Sequence, residues 1–285
     1  MFVACGHNGQ RIASDDGVHW RNQVFGKEGE TYQSAISGGG HVVCVGRYGG
    51  QNIWASSVNG VDWQTANNDA KYKNYIQGVA YGNGGFLALG GDPTTVGLSV
   101  PFIMTSPDGV KWSEIKPTGG KTVLRRAAWG NGRWVGVGDR GRRASSSDGV
   151  AWEETPNVKA IDTLVDVAFG NGSFVGVGLH GLRMSTTNGT VWENRQTGNE
   201  GEHLNSILWA ENQFVAVGMG ATWFSKDGVT WERKDNQNAP LCATYGKGTF
   251  VGAHWKGRLL HSHDAVEWKE VFKSDEHIEA VTAMA

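Results

Sequence analysis

The stretch "SPDGVKW", residues 106–112, places a serine, an aspartate, a glycine and a tryptophan at fixed spacing, and the chain repeats it. The other copies read "SDDGVHW" (14–20), "SVNGVDW" (57–63), "SSDGVAW" (146–152), "TTNGTVW" (186–192), "SKDGVTW" (225–231) and "SHDAVEW" (262–268). Their tryptophans are Trp20, Trp63, Trp112, Trp152, Trp192, Trp231 and Trp268, at steps of 43, 49, 40, 40, 39 and 37 residues. A period near 40 is the length of one four-stranded propeller blade.

Each unit divides into four short apolar runs joined by turn signals. In the fifth these are "TLVDVAFG", "FVGVG", "LRMST" and "VWENR", with "GNG" between the first pair and "NGT" between the last. Runs rich in Val, Phe and Trp joined by Asn-Gly or Asp-Gly are hairpin signatures, because both central residues of a type I′ turn need positive φ. No window carries an apolar stripe of helical period, so the chain reads as all-β.

The first unit is short by one strand. Residues 1–25 supply "FVACG", "RIAS" and "VHWRN", and the missing run lies at the other terminus, where "HIEAVTAMA" (277–285) lines up with "TLVDVAFGN". Pairing of that terminal strand with the first three closes a ring and leaves only short blade edges. The expectation is a seven-bladed β-propeller forming one domain over residues 1–285.

The repeat resembles the Asp-box (BNR) motif of sialidase-like propellers, in a shortened form with Asp or Asn directly before Gly. The resemblance covers all seven units. It implies a hairpin between the two outer strands of each blade, away from the functional face, and so an architectural role for the box. Local chemistry agrees: Ser, Thr and Asp side chains bond to turn backbone, and Trp fills the space between neighbouring elements.

Composition narrows the functional classes. The formal net charge is −2 with no basic run, which argues against nucleic acid as a partner. No apolar stretch reaches membrane-spanning length and no signal peptide is visible. The chain enters a strand directly after Met1, which leaves a secreted or periplasmic origin, with the export segment trimmed, as an expectation. Cys5, Cys44 and Cys242 make no disulfide framework. Cys5 and Cys44, one residue out of register in adjacent units, are expected on opposite sides of their sheets. "GVGDRG" (136–141) and "GVGLHG" (176–181) match a dinucleotide fingerprint, but each leads into a β run instead of the helix that a phosphate loop needs. The sequence identifies no cofactor and no zinc-finger spacing.

Turn lengths divide the two faces. The first-to-second and third-to-fourth turns are short, whereas second-to-third turns ("RYGGQN", "GDPTTVGLSVP") and blade links ("FGKEGETY", "RQTGNEGEH") read as longer. Both longer classes fall on one face of a propeller, where binding residues concentrate. Around that face come His7, Arg47, Tyr48, Asp92, Asp139, Arg140, His180, Met219, His254, Trp255 and Lys256, with Arg125, Arg126, Asp166, His203 and His277 near the starts of the innermost strands. Convergence of such groups near the axis would form one concave site. The plainer reading makes them a solvated rim, with Arg126 and Asp166 an ion pair in the channel.

Three function classes follow. In a carbohydrate-active enzyme, a polysaccharide lyase or glycoside hydrolase, His7, His180 or His254 is the base and Tyr48 the acid. Arg47, Arg126 or Arg140 then holds a carboxylate or developing negative charge, with Asp166 in the same catalytic group. Asp139, Trp255 and Lys256 complete the ligand-binding set. Sialidases themselves have six blades, an arginine triad and a Tyr–Glu pair, a constellation not placed here. The alternatives are a glycan-binding module using an aromatic platform such as Trp54, Trp223 or Trp255, and a protein-interaction scaffold with Trp and Arg anchors. A metal site would need His7, His180 and His254 to meet. A carbohydrate-acting monomer with one axial site is the leading expectation.

Overall fold

The computed structural model describes residues 1–68, 75–91, 100–199 and 201–284; Asp92 lies outside them. The described residues form seven antiparallel four-stranded sheets arranged as a propeller. Blade one joins Ile278–Ala283 to Phe2–Gly6, Arg11–Ser14 and Trp20–Val24. Its closing register pairs Phe2 with Ala283, Ala4 with Val281 and Gly6 with Ile278, and the amide of Met284 donates to the Met1 carbonyl at 2.7 Å. Blades two to seven begin with inner strands Thr31–Gly38, Tyr75–Gly82, Leu124–Gly130, Leu164–Gly170, Leu204–Ala210 and Cys242–Gly246.

The repeated box is a bonded turn. In blade one the Ser14 hydroxyl accepts the Gly17 amide at 2.9 Å, while Asp16 Oδ1 accepts the amides of Val18 and His19 at 2.9 and 2.8 Å. Thr186 and Asn188 make the same set in blade five. Six of the seven boxes have glycine at the left-handed position, and at Gly228, with φ of 73°, an added Cβ would lie 2.5 Å from Val175 Cγ2 of the preceding blade; in the seventh, Ala265 takes φ of 59°. Each box therefore locks its own hairpin and seats it on its neighbour.

The box tryptophans adopt two arrangements. Trp20, Trp112, Trp152 and Trp268 donate their indole N–H to the carbonyl three residues back, at 3.0–3.2 Å. Trp63, Trp192 and Trp231 make no such bond. Over these three lie Arg11, Arg143 and Arg183, each from the third strand of the preceding blade, at 5.3, 5.2 and 5.7 Å from the ring centroid. The three guanidinium groups are buried, and burial brings the pKa of Arg143 and Arg183 down to about 10 while leaving them charged at neutral pH. Cation–π contact and backbone carbonyls compensate that burial: Arg183 also donates to the Gly181 carbonyl at 3.0 Å.

Cys5 and Cys44 lie on opposite sides of their sheets, as their register requires, yet they share one core cluster. Opposite sides of consecutive blades form a single interface, so the two buried thiols meet there, and the Cys44 thiol together with burial raises the Cys5 pKa.

One expectation about the faces needs correction. "RYGGQN" is a two-residue hairpin turn: the strands run through Tyr48 and Gln51, which pair, and Gly49 and Gly50 take φ of 55° and 88°. Arg47 and Tyr48 are thus strand residues. The same tight geometry, with a left-handed residue before glycine, recurs at Asn8, Arg140, His180 and Lys256, at φ of 51°, 54°, 58° and 61°.

Candidate functional site: an axial channel and its rim

The inner strands carry an irregularity that builds the channel. In blades two to six the pairing register skips one residue near the start of each inner strand, as between Leu124 and Arg126 or Leu164 and Asp166. In blade one the same shift skips Glu279. A β-bulge places two residues against one and re-aims a side chain. Consecutive residues therefore both reach the channel instead of alternating across the sheet.

The result is a stack of layers, each blade contributing one residue per layer. The bulged residues Gln33, Gln77, Arg125, Val165, Asn205 and Glu279, with Leu241, line a mouth of about 380 Å³ on the face of the second-to-third turns. The next layer, the waist, contains Ser34, Gly78, Arg126, Asp166, Ser206, Cys242 and Ala280, all but Gly78 lining the inner cavity. Beyond it this cavity, also about 380 Å³, extends past Val79, Val167, Ile207 and Val281 to Tyr81, Trp129 and Phe169 near the opposite face. Those aromatics pack on the second strand of their own blade, with ring centroids 4.8–5.3 Å from Phe86, Trp134 and Phe174.

Polar waist residues stitch neighbouring blades together. Asp166 Oδ1 accepts its neighbour Val167's amide at 2.9 Å, and Oδ2 accepts that of Ile207 in blade six at 2.9 Å. The hydroxyls of Ser34 and Ser206 accept the amides of Val79 and Ala243, each from the following blade, at 3.3 Å. Arg126 works in the other direction, its Nη1 donating to the Gln77 and Arg125 carbonyls at 3.0 Å. These contacts satisfy inner-edge backbone groups that have no further strand to pair with. Burial raises the Asp166 pKa, against the opposing effect of the Arg126 charge and the amides. Burial also pushes the Cys242 thiol up to about 11.

The expected Arg126–Asp166 ion pair is absent among the described residues. The reason is local: Gly78 has no side chain, so the Arg126 guanidinium lies back over blade three, where an added Cβ would stand 3.1 Å from its Nη1. Asp166 meanwhile turns toward blade six. Arg125 is the residue that pairs, gripping Asp139 through Nε and, at 3.0 Å, through Nη2.

The histidines separate into two groups. His7 Nε2 lies 2.9 Å from Glu279 Oε1, and His277 Nε2 lies 3.7 Å from the same oxygen. Trp255 stacks on His277 at 5.5 Å, and His254 Nδ1 meets Arg258 Nη2 at 2.6 Å. Burial, then the Arg258 charge, lowers the His254 pKa. His180 sits instead with His203, its amide donating to Nδ1 at 3.1 Å and the rings 5.5 Å apart. Among the described residues no group of three His, Cys, Asp or Glu side chains is arranged to hold a metal ion.

The remaining candidates occupy the rim singly. Tyr48 packs on the interface of blades one and two under Lys27, and Arg47 lies over Tyr75 at 5.2 Å. Arg140 and Lys256 are exposed at turn tips. Glu279, Ser34, Ser206 and the mouth glutamines were not anticipated. Aligning the inner strands across all seven repeats identifies them, since each layer is one column of that alignment.

Large apolar side chains also gather on this face. Leu179, Met219 and Trp255, at equivalent turns of blades five, six and seven, are 38%, 60% and 56% exposed. Phe25 and Ile161, in blade-to-blade links, add to it with 52% and 69% exposure.

Among solved structures the chain is similar to YCF48 bound to D1 peptide, with a TM-score of 0.61 and 18% identity over 91% of this chain and 84% of that one. It also resembles a chain of the mitotic checkpoint complex (TM-score 0.64, 9% identity, 89% and 81% coverage). YCF48 from Cyanidioschyzon merolae gives a TM-score of 0.58 at 14% identity, covering 84% of each chain. No family model and no curated protein matches the sequence. At these identities the likeness establishes the seven-bladed propeller fold.

Proposed function

We propose that this propeller is a protein-interaction module that takes an extended peptide segment of a partner protein across the tips of blades five to seven. One observation carries the reading: Leu179, Met219 and Trp255 expose large apolar surface at the same turn of three successive blades. Isolated exposed apolar residues are ordinary, but an arc of them beside Arg140, His180 and Lys256 has the composition of an interface with apolar anchors and a basic rim. A matching segment carries apolar residues interspersed with Asp or Glu. The similarity to a YCF48 structure that contains a peptide, and to a chain of a checkpoint complex, supports this class over catalysis.

The test is selection of displayed random peptides on the wild-type protein, followed by affinity measurement on Met219→Asp/Trp255→Ala. The enriched peptides are expected to be apolar and acidic, and to lose at least tenfold in affinity, about 1.4 kcal/mol, on the double variant. Val191→Asp, on a box hairpin, is expected to leave binding intact. Peptides that bind the double variant as tightly as wild type defeat the proposal.

A glycan ligand, the expectation drawn from the Asp-box resemblance, has one observation in its favour. Trp255 is exposed beside the His7–Glu279 pair and offers a stacking platform for a sugar ring. A glycan array with Trp255→Ala, His7→Ala, His180→Ala and His254→Ala separates this reading from peptide binding.

A further inference from the structure

We propose that the inner axial cavity binds a small zwitterion of the α-amino acid class, its carboxylate on Arg126 and its ammonium between Asp166 and Glu279. The inference is independent of what docks on the rim. It starts from the charged groups that line the cavity: one guanidinium and two carboxylates, drawn from blades four, five and one. Arg126 and Asp166 occupy the same layer of adjacent blades without forming an ion pair, because each is bonded to a blade on its far side. Opposite charges that line one cavity without pairing present a complementary site for a molecule that carries both.

The unused hydrogen-bonding capacity agrees. Arg126 commits Nη1 to two carbonyls, while its Nε and Nη2 groups make no hydrogen bond among the described residues. Each Asp166 oxygen accepts one amide, and with the Ser206 hydroxyl also bonding to the carboxylate one lone pair is left. Glu279 engages His7 and His277 through Oε1. A carboxylate is a strong acceptor for guanidinium, and an ammonium supplies three donors for carboxylate oxygens. Val79, Ile207 and Val281 then form an apolar wall for a side chain, with Trp129 beyond them. The volume, about 380 Å³, falls within the range of small-molecule pockets.

Isothermal titration of the full chain with the twenty standard α-amino acids tests the proposal, with 4-methylpentanoate and 3-methylbutylamine as the deaminated and decarboxylated counterparts of leucine. The expected result is saturable one-site binding of at least one apolar amino acid, with the singly charged counterparts at least tenfold weaker. Arg126→Lys is expected to weaken binding at least tenfold. Ala243→Leu, which fills the cavity from blade seven, is expected to abolish it and decides the matter alone should the arginine variant fail to fold. Absence of saturable binding by any amino acid overturns the proposal. So does equal affinity for the deaminated counterpart, or unchanged affinity in Ala243→Leu.

Discussion

Asp166 of blade five holds the Ile207 amide of blade six through Oδ2 at 2.9 Å, while its other oxygen holds the Val167 amide. One carboxylate thus serves two backbone donors across a blade boundary. Asp166→Ala leaves both without that acceptor and is expected to lower the unfolding free energy by about 1–3 kcal/mol. Asp166→Asn, with one acceptor oxygen, is expected to fall between. Urea midpoints at constant m-value provide the measurement.

Arg183 lies 3.7 Å from the Trp223 ring centroid and also covers Trp231. Arg183→Met retains an apolar stem but loses the charge and the bond to the Gly181 carbonyl. The expected cost is about 2–4 kcal/mol, with a change in near-ultraviolet circular dichroism from the two indoles. Arg183→Lys is not expected to rescue, since an ammonium cannot stack as a planar fork. Full rescue by lysine would show that charge alone matters there.

The terminal strand Ile278–Ala283 is the innermost strand of blade one. Deleting residues 278–285 bares the edge of Phe2–Gly6 and removes Glu279 from the channel. The truncated chain is expected to lose its single cooperative unfolding transition and to self-associate through the open edge, as followed by calorimetry and size-exclusion chromatography. An unchanged melting temperature would contradict closure by this strand.

The box aspartates give an acid dependence of definite sign. Hydrogen bonds from His19 hold the Asp16 carboxyl below its ordinary range, and backbone amides do the same for Asp108, Asp148 and Asp227. A depressed folded-state pKa stabilises the fold above the unfolded value, about 3.9, and that contribution is lost as pH falls through the folded value. Urea midpoints are therefore expected to be level, as far as these groups are concerned, down to about pH 5 and to fall below it. Asp108→Asn/Asp148→Asn, which copies the asparagine boxes at Asn59 and Asn188, is expected to flatten that decline. An equally steep acid limb in the double variant would place the dependence elsewhere.

Cys242 lines the cavity with its thiol raised to about 11 by burial. The thiolate is the reactive form, so iodoacetamide at pH 8 is expected to alkylate it about 10²-fold more slowly than an unfolded cysteine. Mass spectrometry of native and urea-unfolded protein reads the ratio. Comparable rates would mean that the waist is open to reagent and the thiol unperturbed.

The seven-fold repeat of Ser/Thr, Asp/Asn, Gly (Ala265 in the last copy) and Trp was enough to read the blade count, the hairpins and the closing role of residues 277–285. Each of these rests on local turn chemistry and on side-chain periodicity along single strands, and a sequence displays both directly. The arrangement around the axis was only partly legible. Arg126 and Asp166 were expected as an ion pair, but Gly78, in another blade, gives the guanidinium a place to lie and so separates them. His7, His180 and His254 lie in equivalent turns, at three successive positions of that turn, and each imidazole found a different neighbour: Glu279, His203 and Arg258. Repetition along the chain determined which residues occupy each layer. Only closure of the ring decided which of them touch, because those contacts run between blades and depend on bulges, empty glycine positions and partners about 40 to 270 residues apart.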